Sequence, residues 1–452
     1  MPLSPDVAVG ARYDGLLQSA LRQFFDRATL DAQPTPSPAD TRLAIEPSAN
    51  PAALIIRWSG TRYTLRVPGR WAFSAHEVRL AQAIGGVLAA RSRAILDPEI
   101  IAQRGDLFRG VIEDRYVGAF LDHKSYTIEA REARADRIAS VIELLRVAAL
   151  SSYENRPIST GVLLLSSLDD PCRPGRFPTE ATPEYSRQLT AIKSFHRLAD
   201  GVNTLFLANS DGRLLDVVDV GRWAAHACPN QDLQVPCAKA FQAHARATLQ
   251  AGHVCAVLSP SREIKIFAEG AELFAFRGAA WHLLDLQAKF RLWADAVGDD
   301  ALALRLFQTA LDLADAREGA LFLVARDPEA ATTQLVSPPD RLDVPIAEVR
   351  LPNGAPSRRD LLHLLEGRSV TDLDPSLLFA LASLDGATVV DRSSRLLAAG
   401  AILRHPPIDA AGGVIEGART TAALAASRFG PVLKVSEDGV ITFFDGERVW
   451  DI

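Results

Sequence analysis

The chain has 452 residues, 48% of them apolar and 23% charged, with a formal net charge of −6. That length exceeds one ordinary core and suggests about three domains at roughly one per 100–200 residues, and the composition excludes a disordered chain. The negative balance argues against a protein that coats DNA or an anionic membrane, because such binding sums many Lys and Arg contacts.

Met1 to Gly10 lacks the basic start and apolar core of a signal peptide, and no run of eighteen apolar residues offers a membrane span, so a cytoplasmic protein is expected. Cys172, Cys228, Cys237 and Cys255 are too few and too irregularly spaced for a disulfide framework, and reduced thiols are expected.

Tyr13 to Ala32 is predicted as a helix, with Leu16, Leu17, Ala20, Leu21, Phe24 and Phe25 on one apolar face. The proline-rich stretch Gln33 to Pro38 stops it. Ala53 to Trp58 and Arg62 to Val67, joined by Ser59-Gly60-Thr61, read as a β-hairpin, and a long amphipathic helix follows around His76 to Ser92. These elements form a first mixed unit, residues 1–137.

A second mixed α/β unit, residues 138–296, opens on the helical pattern Ile138 to Leu150. It carries strand-like runs at Gly161 to Leu165, Thr204 to Leu207 and Val254 to Leu258, with Asn209-Ser210-Asp211-Gly212 as a hairpin turn. Helices are expected over about Ala279 to Ala296 and Asp300 to Ala316, the latter capped by Asp299 or Asp300 and stopped at Gly319.

In the third unit, residues 297–452, Ala320 to Ala325 is a continuous apolar run of the buried-strand kind. Helices around Ser357 to Gly367 and Pro375 to Ser383 lead to a strand Ala387 to Asp391, a turn Arg392-Ser393-Ser394 and a second apolar run Leu396 to Leu403. A loop, His405 to Gly413, precedes a helix Thr420 to Arg428 that Gly430-Pro431 ends. Val432 to Val435 and Val440 to Phe444 close the chain as a hairpin around Glu437-Asp438-Gly439. The expected class is α/β of the mixed α+β kind: a C-terminal twisted mixed sheet flanked by helices, preceded by two smaller mixed α/β domains. Gly161 to Leu165 and Gly319 to Leu323 are similar runs, but no unit reads as a convincing repeat of another.

Two features of the third unit carry chemistry. Asp385-Gly386 sets a carboxylate, a potential metal ligand, beside a backbone that a ribose or base can approach closely; Asp-Gly is also a common turn pair leading into a strand. Gly417 to Thr421 starts a helix whose free N–H groups and positive dipole end suit phosphate. Arg419 adds a charge able to make bidentate phosphate contacts, and Thr420 and Thr421 add hydroxyls, with ordinary helix capping by Thr as the plainer reading.

Elsewhere, His226, Cys228, Cys237, His253 and Cys255 lack any zinc spacing, and the sequence has no phosphate loop, dinucleotide fingerprint or nucleophile elbow. Arg91 to Arg93 and Arg358-Arg359 read as solvated faces without aromatic interleaving.

In order and spacing, Leu381 to Ala387, Ala399 to Leu403, Glu416 to Ala423, Val435-Ser436-Glu437 and Ile441 to Phe444 resemble the diadenylate cyclase domain over its latter half, and Gly319 to Val324 resembles it more loosely. The resemblance implies ATP as substrate, Mg²⁺ or Mn²⁺ as cofactor, and cyclic di-AMP plus pyrophosphate as products. Asp385 would be the metal-binding Asp of the Asp-Gly-Ala motif, and Gly386 and Ala387 would border the nucleotide. Gly417, Ala418, Arg419, Thr420 and Thr421 would face the phosphates. Ser436 would add a nucleotide contact, and Glu437 a second candidate for metal or phosphate-side chemistry.

Where the family has Thr-Arg-His-Arg, this chain has Ala418-Arg419-Thr420-Thr421, so a histidine and an arginine are missing from the phosphate motif. Each charge-assisted hydrogen bond is worth about 1.5–3 kcal/mol, so losing one weakens triphosphate binding by about ten- to a hundredfold or more. Arg404, His405 and Lys434 are candidates to restore some of that charge, with plain surface placement as the preferred reading.

The family's reaction needs two domains face to face, which implies a homodimer or larger assembly. The chain ends within ten residues of the last predicted strand, leaving no room for the family's helix-hairpin-helix module, so nucleic acid is an unlikely partner. The N-terminal units are expected to sense a small molecule or protein. The rival readings are a non-catalytic nucleotide-binding protein of the same fold and a nucleotidyltransferase making another product.

Overall fold

The computed structural model describes residues 5–25, 28–35, 43–58, 60–67, 72–128, 134–166, 179, 182–192, 194–227, 231–249, 252–342, 358–404 and 417–452. The fold is mixed α/β. The chain forms two compact units, one from Met1–Leu233 with Ala243–Asp285 and the other from Gln234–Gln242 with Leu286–Ile452.

The first unit opens with helix α1 (Pro5–Phe24), whose Leu17 and Leu21 are fully buried. The expected continuation of this helix to Ala32 does not form. Thr29–Pro34 is instead strand β1, laddered antiparallel to β4 (Thr61–Arg66), and the partner strand overrides helical periodicity there. With β2 (Ala44–Pro47) and β3 (Ala53–Trp58) they make a four-stranded sheet in the order β1-β4-β3-β2. The long helix α2 (Ala75–Leu96) starts on a full capping box between Ser74 and Glu77. Helices α3 (Pro98–Arg104), α4 (Ile112–Leu121) and α5 (Arg134–Ala149) follow.

After a short pair, β5 (Ser152–Tyr153) and β6 (Arg156–Pro157), comes the main sheet of this unit. Its strands are β7 (Thr160–Leu164), β8 (Thr204–Ala208), β9 (Leu214–Asp219), β10 (Val254–Leu258), β11 (Ile264–Ala268), β12 (Ala271–Arg277) and β13 (Ala280–Leu283), in the order β13-β12-β11-β10-β7-β8-β9. Helix α6 (Val220–Ala227) follows β9, and α7 (Gln242–Arg246) precedes β10.

The helix expected from Ala279 is partly strand. Gly278 and Ala279, both at positive φ, turn β12 tightly into β13, and helix α8 begins at Leu286 and runs to Val297. Cys237 and Cys255 are buried, and Cys172 and Cys228 lie outside the described residues.

The second unit follows the expected elements closely. Helix α9 (Asp300–Ala316) is N-capped by Asp299, whose carboxylate accepts from the Leu302 N–H at 2.8 Å. It ends on Arg317 in the left-handed region (φ 61°) rather than on Gly319. The six-stranded sheet runs β16-β15-β14-β17-β18-β19, with β14 (Ala320–Ala325), β15 (Ala387–Asp391), β16 (Leu396–Ala401), β17 (Val432–Val435), β18 (Ile441–Asp445) and an unforeseen edge strand β19 (Glu447–Asp451).

One face of this sheet, with Leu321, Leu323, Ala387, Val389 and Val432, is buried with Ala331 and Leu335 of α10 (Pro328–Leu335) and with Ala423 and Ala426 of α13 (Ala418–Ala426). Helices α9 and α12 (Pro375–Ala382) also pack on the sheet. Trp293 of α8 meets Phe443 edge-on, and Phe307 of α9 meets Trp450 in the same way. Helix α11 (Arg358–Leu362) is short, and the loop expected over His405 to Gly413 lies outside the described residues.

Each large sheet has one parallel pair, β7 with β8 and β14 with β15, and antiparallel neighbours otherwise. In both, the first strand is central, the second lies parallel beside it, the third hairpins to the edge, and the fourth crosses to the other flank and meanders outward. No unit reads in sequence as a convincing repeat of another, yet the strand connectivity recurs.

Candidate functional site at one end of the six-stranded sheet

Backbone register gathers the motif segments. Ala401, Ala387, Leu321 and Lys434 form one row across β16, β15, β14 and β17. Strands β14 and β15 start at this end and the antiparallel β17 finishes there, so Gly319, Asp385-Gly386 and Ser436-Glu437 all leave the sheet on the same side. Neighbouring strands are about 4.8 Å apart, which separates the start of β15 from the end of β17 by roughly 10 Å across β14.

Asp385 is exposed and, among the described residues, has no ion-pair partner. Gly386 has φ +117°, and a Cβ there would lie 2.5 Å from the Gly400 carbonyl carbon of β16. Its glycine is therefore required by the chain's own backbone as well as by the turn. Ala387, the first residue of β15, is buried.

Helix α13 presents its N-terminus at the same end. Gly417 caps it without a side-chain hydrogen bond, and neither Thr420 nor Thr421 serves as its cap. The Thr420 and Thr421 N–H groups turn inward to the Gly417 carbonyl at 2.9 and 3.3 Å. Thr420 Oγ1 instead accepts from Lys434 Nζ at 3.0 Å. Lys434, expected on the surface, is thus half-buried and joined to the phosphate-type motif, a pairing that depends on β17 lying under α13.

The Arg419 guanidinium lies directly over Gly319, in space that a Cβ would occupy, and its Nη1 is 3.6 Å from Glu437 Oε1. Arg419 is the motif's one arginine, so its charge is shared with a carboxylate. The Ser436 hydroxyl has two acceptors within reach of its one proton, the Asp438 carboxylate and, at 2.9 Å, the Val440 carbonyl. Ala418 is exposed in the first turn of α13. Arg404 takes another role: its Nη2 donates to the Thr333 and Val336 carbonyls at 3.0 and 2.8 Å, at the end of α10. His405 and Glu416 lie outside the described residues.

The structure therefore brings Arg419 to Glu437 and Thr420 to Lys434, with Asp385 across β14 from both. Among the described residues no three His, Cys, Asp or Glu side chains gather into a metal cage. Asp385 still fits a hard cation that arrives with a nucleotide, since Mg²⁺ is commonly held by one or two carboxylates plus substrate phosphates. Glu437, two strands away, is engaged with Arg419.

No family model matches the sequence, and no curated protein matches it. Among solved structures, a hypothetical membrane spanning protein from Bacillus cereus is 20% identical over 32% of this chain and 61% of its own, with a TM-score of 0.23. This chain thus spans about three-fifths of that protein. A double mutant of DacA from Staphylococcus aureus is 19% identical over 32% of this chain and 83% of its own, with a TM-score of 0.21. Likenesses of this size carry no functional argument. Among the described residues no helix is long and apolar enough to cross a membrane.

Proposed function

We propose that the C-terminal unit is a nucleotide-binding domain of the diadenylate cyclase type, taking ATP with Mg²⁺ or Mn²⁺ at the motif-bearing end of its sheet. Two chains, each holding one ATP, would condense them into cyclic di-AMP and pyrophosphate. The observation that carries this reading is the convergence of Asp385, the N-terminus of α13, Arg419 and Lys434 on one end of one sheet.

In this reading the α13 N–H groups, Arg419 and Lys434 hold the triphosphate, Asp385 holds the cation, and Gly386 and Ala387 border the ribose. When bound, the cation neutralises phosphate charge and favours ionisation of the ribose hydroxyl. The protein's share is positioning, because each hydroxyl must lie in line with the other nucleotide's α-phosphate. The N-terminal unit would set how two such domains meet.

A second reading, nucleotide binding without turnover, is favoured by one feature. Arg419 is paired with Glu437, and no histidine or second arginine stands at Thr420 or Thr421 to replace its charge. Incubation of the purified protein with ATP and Mn²⁺ or Mg²⁺, followed by mass spectrometry, separates these cases. Cyclic di-AMP that disappears in Asp385→Ala supports the cyclase, while bound but unchanged ATP supports the sensor. A different cyclic or linear dinucleotide identifies another nucleotidyltransferase. Product that persists in Asp385→Ala refutes the site.

A further inference from the structure

We infer that the chain is an internal tandem of one fold, and that only the C-terminal copy keeps a ligand site. The ligand's identity rests on the nucleotide reading above; the duplication does not. Shared connectivity is the first ground, and matching details at three places are the second.

The β8–β9 turn and the β15–β16 turn are built alike. Asn209 Oδ1 accepts from the Asp211 and Arg213 N–H groups at 3.1 and 2.8 Å, and Asp391 Oδ1 accepts from Ser393 and Arg395 at 2.9 Å each. Gly212 and Ser394 take the left-handed position, at φ 81° and 68°.

Incoming segments then bridge these turns identically, Glu184 to Arg213 and Ser369 to Arg395. Flanking bonds recur as Tyr185 N–H to the Gly212 carbonyl at 2.8 Å and Val370 N–H to the Ser394 carbonyl at 2.7 Å.

The β10–β11 and β17–β18 turns match as well. Ser259 donates its hydroxyl to the Glu263 carbonyl at 3.1 Å as Ser436 does to Val440 at 2.9 Å, and Arg262 and Gly439 are both left-handed. Helix α5 packs on β10 and β11 as α9 packs on β17 and β18.

Strand pairing makes the correspondence residue-specific. Phe206 lies beside Val162 as Thr388 lies beside Phe322, and Thr160 faces Leu258 as Ala320 faces Val435. Counting along the strands puts Asn203 at the place of Asp385, Val257 at Lys434, Ser259 at Ser436 and Pro260 at Glu437. The N-terminal copy thus keeps the turn serine and has no charged side chain at the other three positions.

Its own Asp-Gly, Asp200-Gly201, stands three residues too early and serves the backbone. Asp200 Oδ1 accepts from the N–H groups of Val202, Asn203 and Thr204 at 2.9, 2.7 and 2.9 Å, and Oδ2 accepts from Asn203 Nδ2 at 3.0 Å. The nearest buried cation on β11, Lys265, is flanked by Glu272 at 3.4 Å and Glu263 at 3.8 Å, a poor setting for phosphate.

Native mass spectrometry of the full chain with ATP and Mn²⁺ tests this, together with thermal unfolding of Asp200→Asn. One nucleotide per chain is expected, weakened at least tenfold in Arg419→Ala/Lys434→Met. Asp200→Asn should lower Tm by about 5 °C, equally with and without Mn²⁺. Two nucleotides per chain, or one that survives Arg419→Ala/Lys434→Met, overturns the inference and leaves a nucleotide-binding protein standing. No binding at all overturns the nucleotide reading, and the Asp200→Asn melt then decides the inference. An unchanged Tm without metal shows that the Asp200 carboxylate does not hold the backbone there, and a Mn²⁺-induced rise in Tm that Asp200→Asn abolishes makes Asp200 a metal ligand; either outcome sinks the inference.

Discussion

Replacing Glu437 by Gln isolates the most consequential contact at the site. Glu437 lies 3.6 Å from Arg419, with 76% of its side chain exposed and 34% of the arginine's. Two unit charges near 4 Å attract by about 1 kcal/mol in bulk water, and exposed pairs retain about 0.2–1 kcal/mol in practice. Glutamine keeps the shape and removes the charge. If Arg419 serves phosphate, Glu437 competes with the ligand, and its neutralisation should tighten ATP·Mn²⁺ binding by up to about fivefold, at about 1.4 kcal/mol per tenfold.

Isothermal titration at low and high salt provides the measurement, and the gain should shrink at high salt because the pair is exposed. A tenfold loss of affinity would refute this reasoning. It would mean that Glu437 ligates the metal or acts on the phosphate side, as the family resemblance implies.

Gly386→Ala forces a side chain into the left-handed region and against the backbone of β16, which should cost about 2–4 kcal/mol in urea unfolding; an unmoved midpoint would contradict the packing. Burial keeps His244 neutral down to about pH 4, against the partial opposing effect of its contact with the Gly201 carbonyl. Its folded pKa lies below the unfolded value, so it costs stability as pH falls from about 6.5 to 4, by about 3 kcal/mol in all, and His244→Gln should flatten that part of the stability–pH curve. The triple replacement Asp385→Asn/Lys434→Val/Glu437→Pro, each to its counterpart in the N-terminal copy, should abolish saturable ATP binding with Tm within a few degrees of wild type. A large drop in Tm would show that these residues hold the fold.

The core strands of the C-terminal unit were legible because Ala320–Ala325 and Ala387–Asp391 are buried throughout, and such runs are apolar without alternation. Strand β19 was not, since Glu447, Arg448 and Val449 are exposed and its pattern is that of a polar edge. Lys265 interrupts the apolar run of β11 yet is buried beside two glutamates, a tertiary arrangement that no local pattern announces. The Gly278-Ala279 turn was hidden because alanine seldom takes positive φ, and the segment joined the apolar pattern of α8.

At the candidate site, motif order alone nominates Asp385 and Arg419. The bond from Lys434 to Thr420 requires the β14–β17 register and the docking of α13, neither of which is local in sequence.

The two copies make a comparison inside one chain. Where geometry and side chain recur together, the fold accounts for the side chain: Asn209 and Asp391 both hold a turn, and Ser259 and Ser436 both bond the residue four places on. Ser436 therefore has a structural reason to be present whether or not it meets a ligand.

Asp385, Lys434 and Glu437 stand where the other copy has Asn203, Val257 and Pro260, in the same strand order, although Gly386 takes φ +117° and the β15–β16 pair has a register shift at Ala387 that the β8–β9 pair lacks. Nothing in the shared architecture calls for charge at those places. Two cations and two carboxylates, counting Arg419, have gathered at one sheet end of the C-terminal copy, whereas in the other an aspartate at the same end is spent on three backbone N–H groups. Charge without a counterpart in the other copy, set beside a helix N-terminus that no described side chain caps, is the strongest physical reason to look for an anionic ligand there.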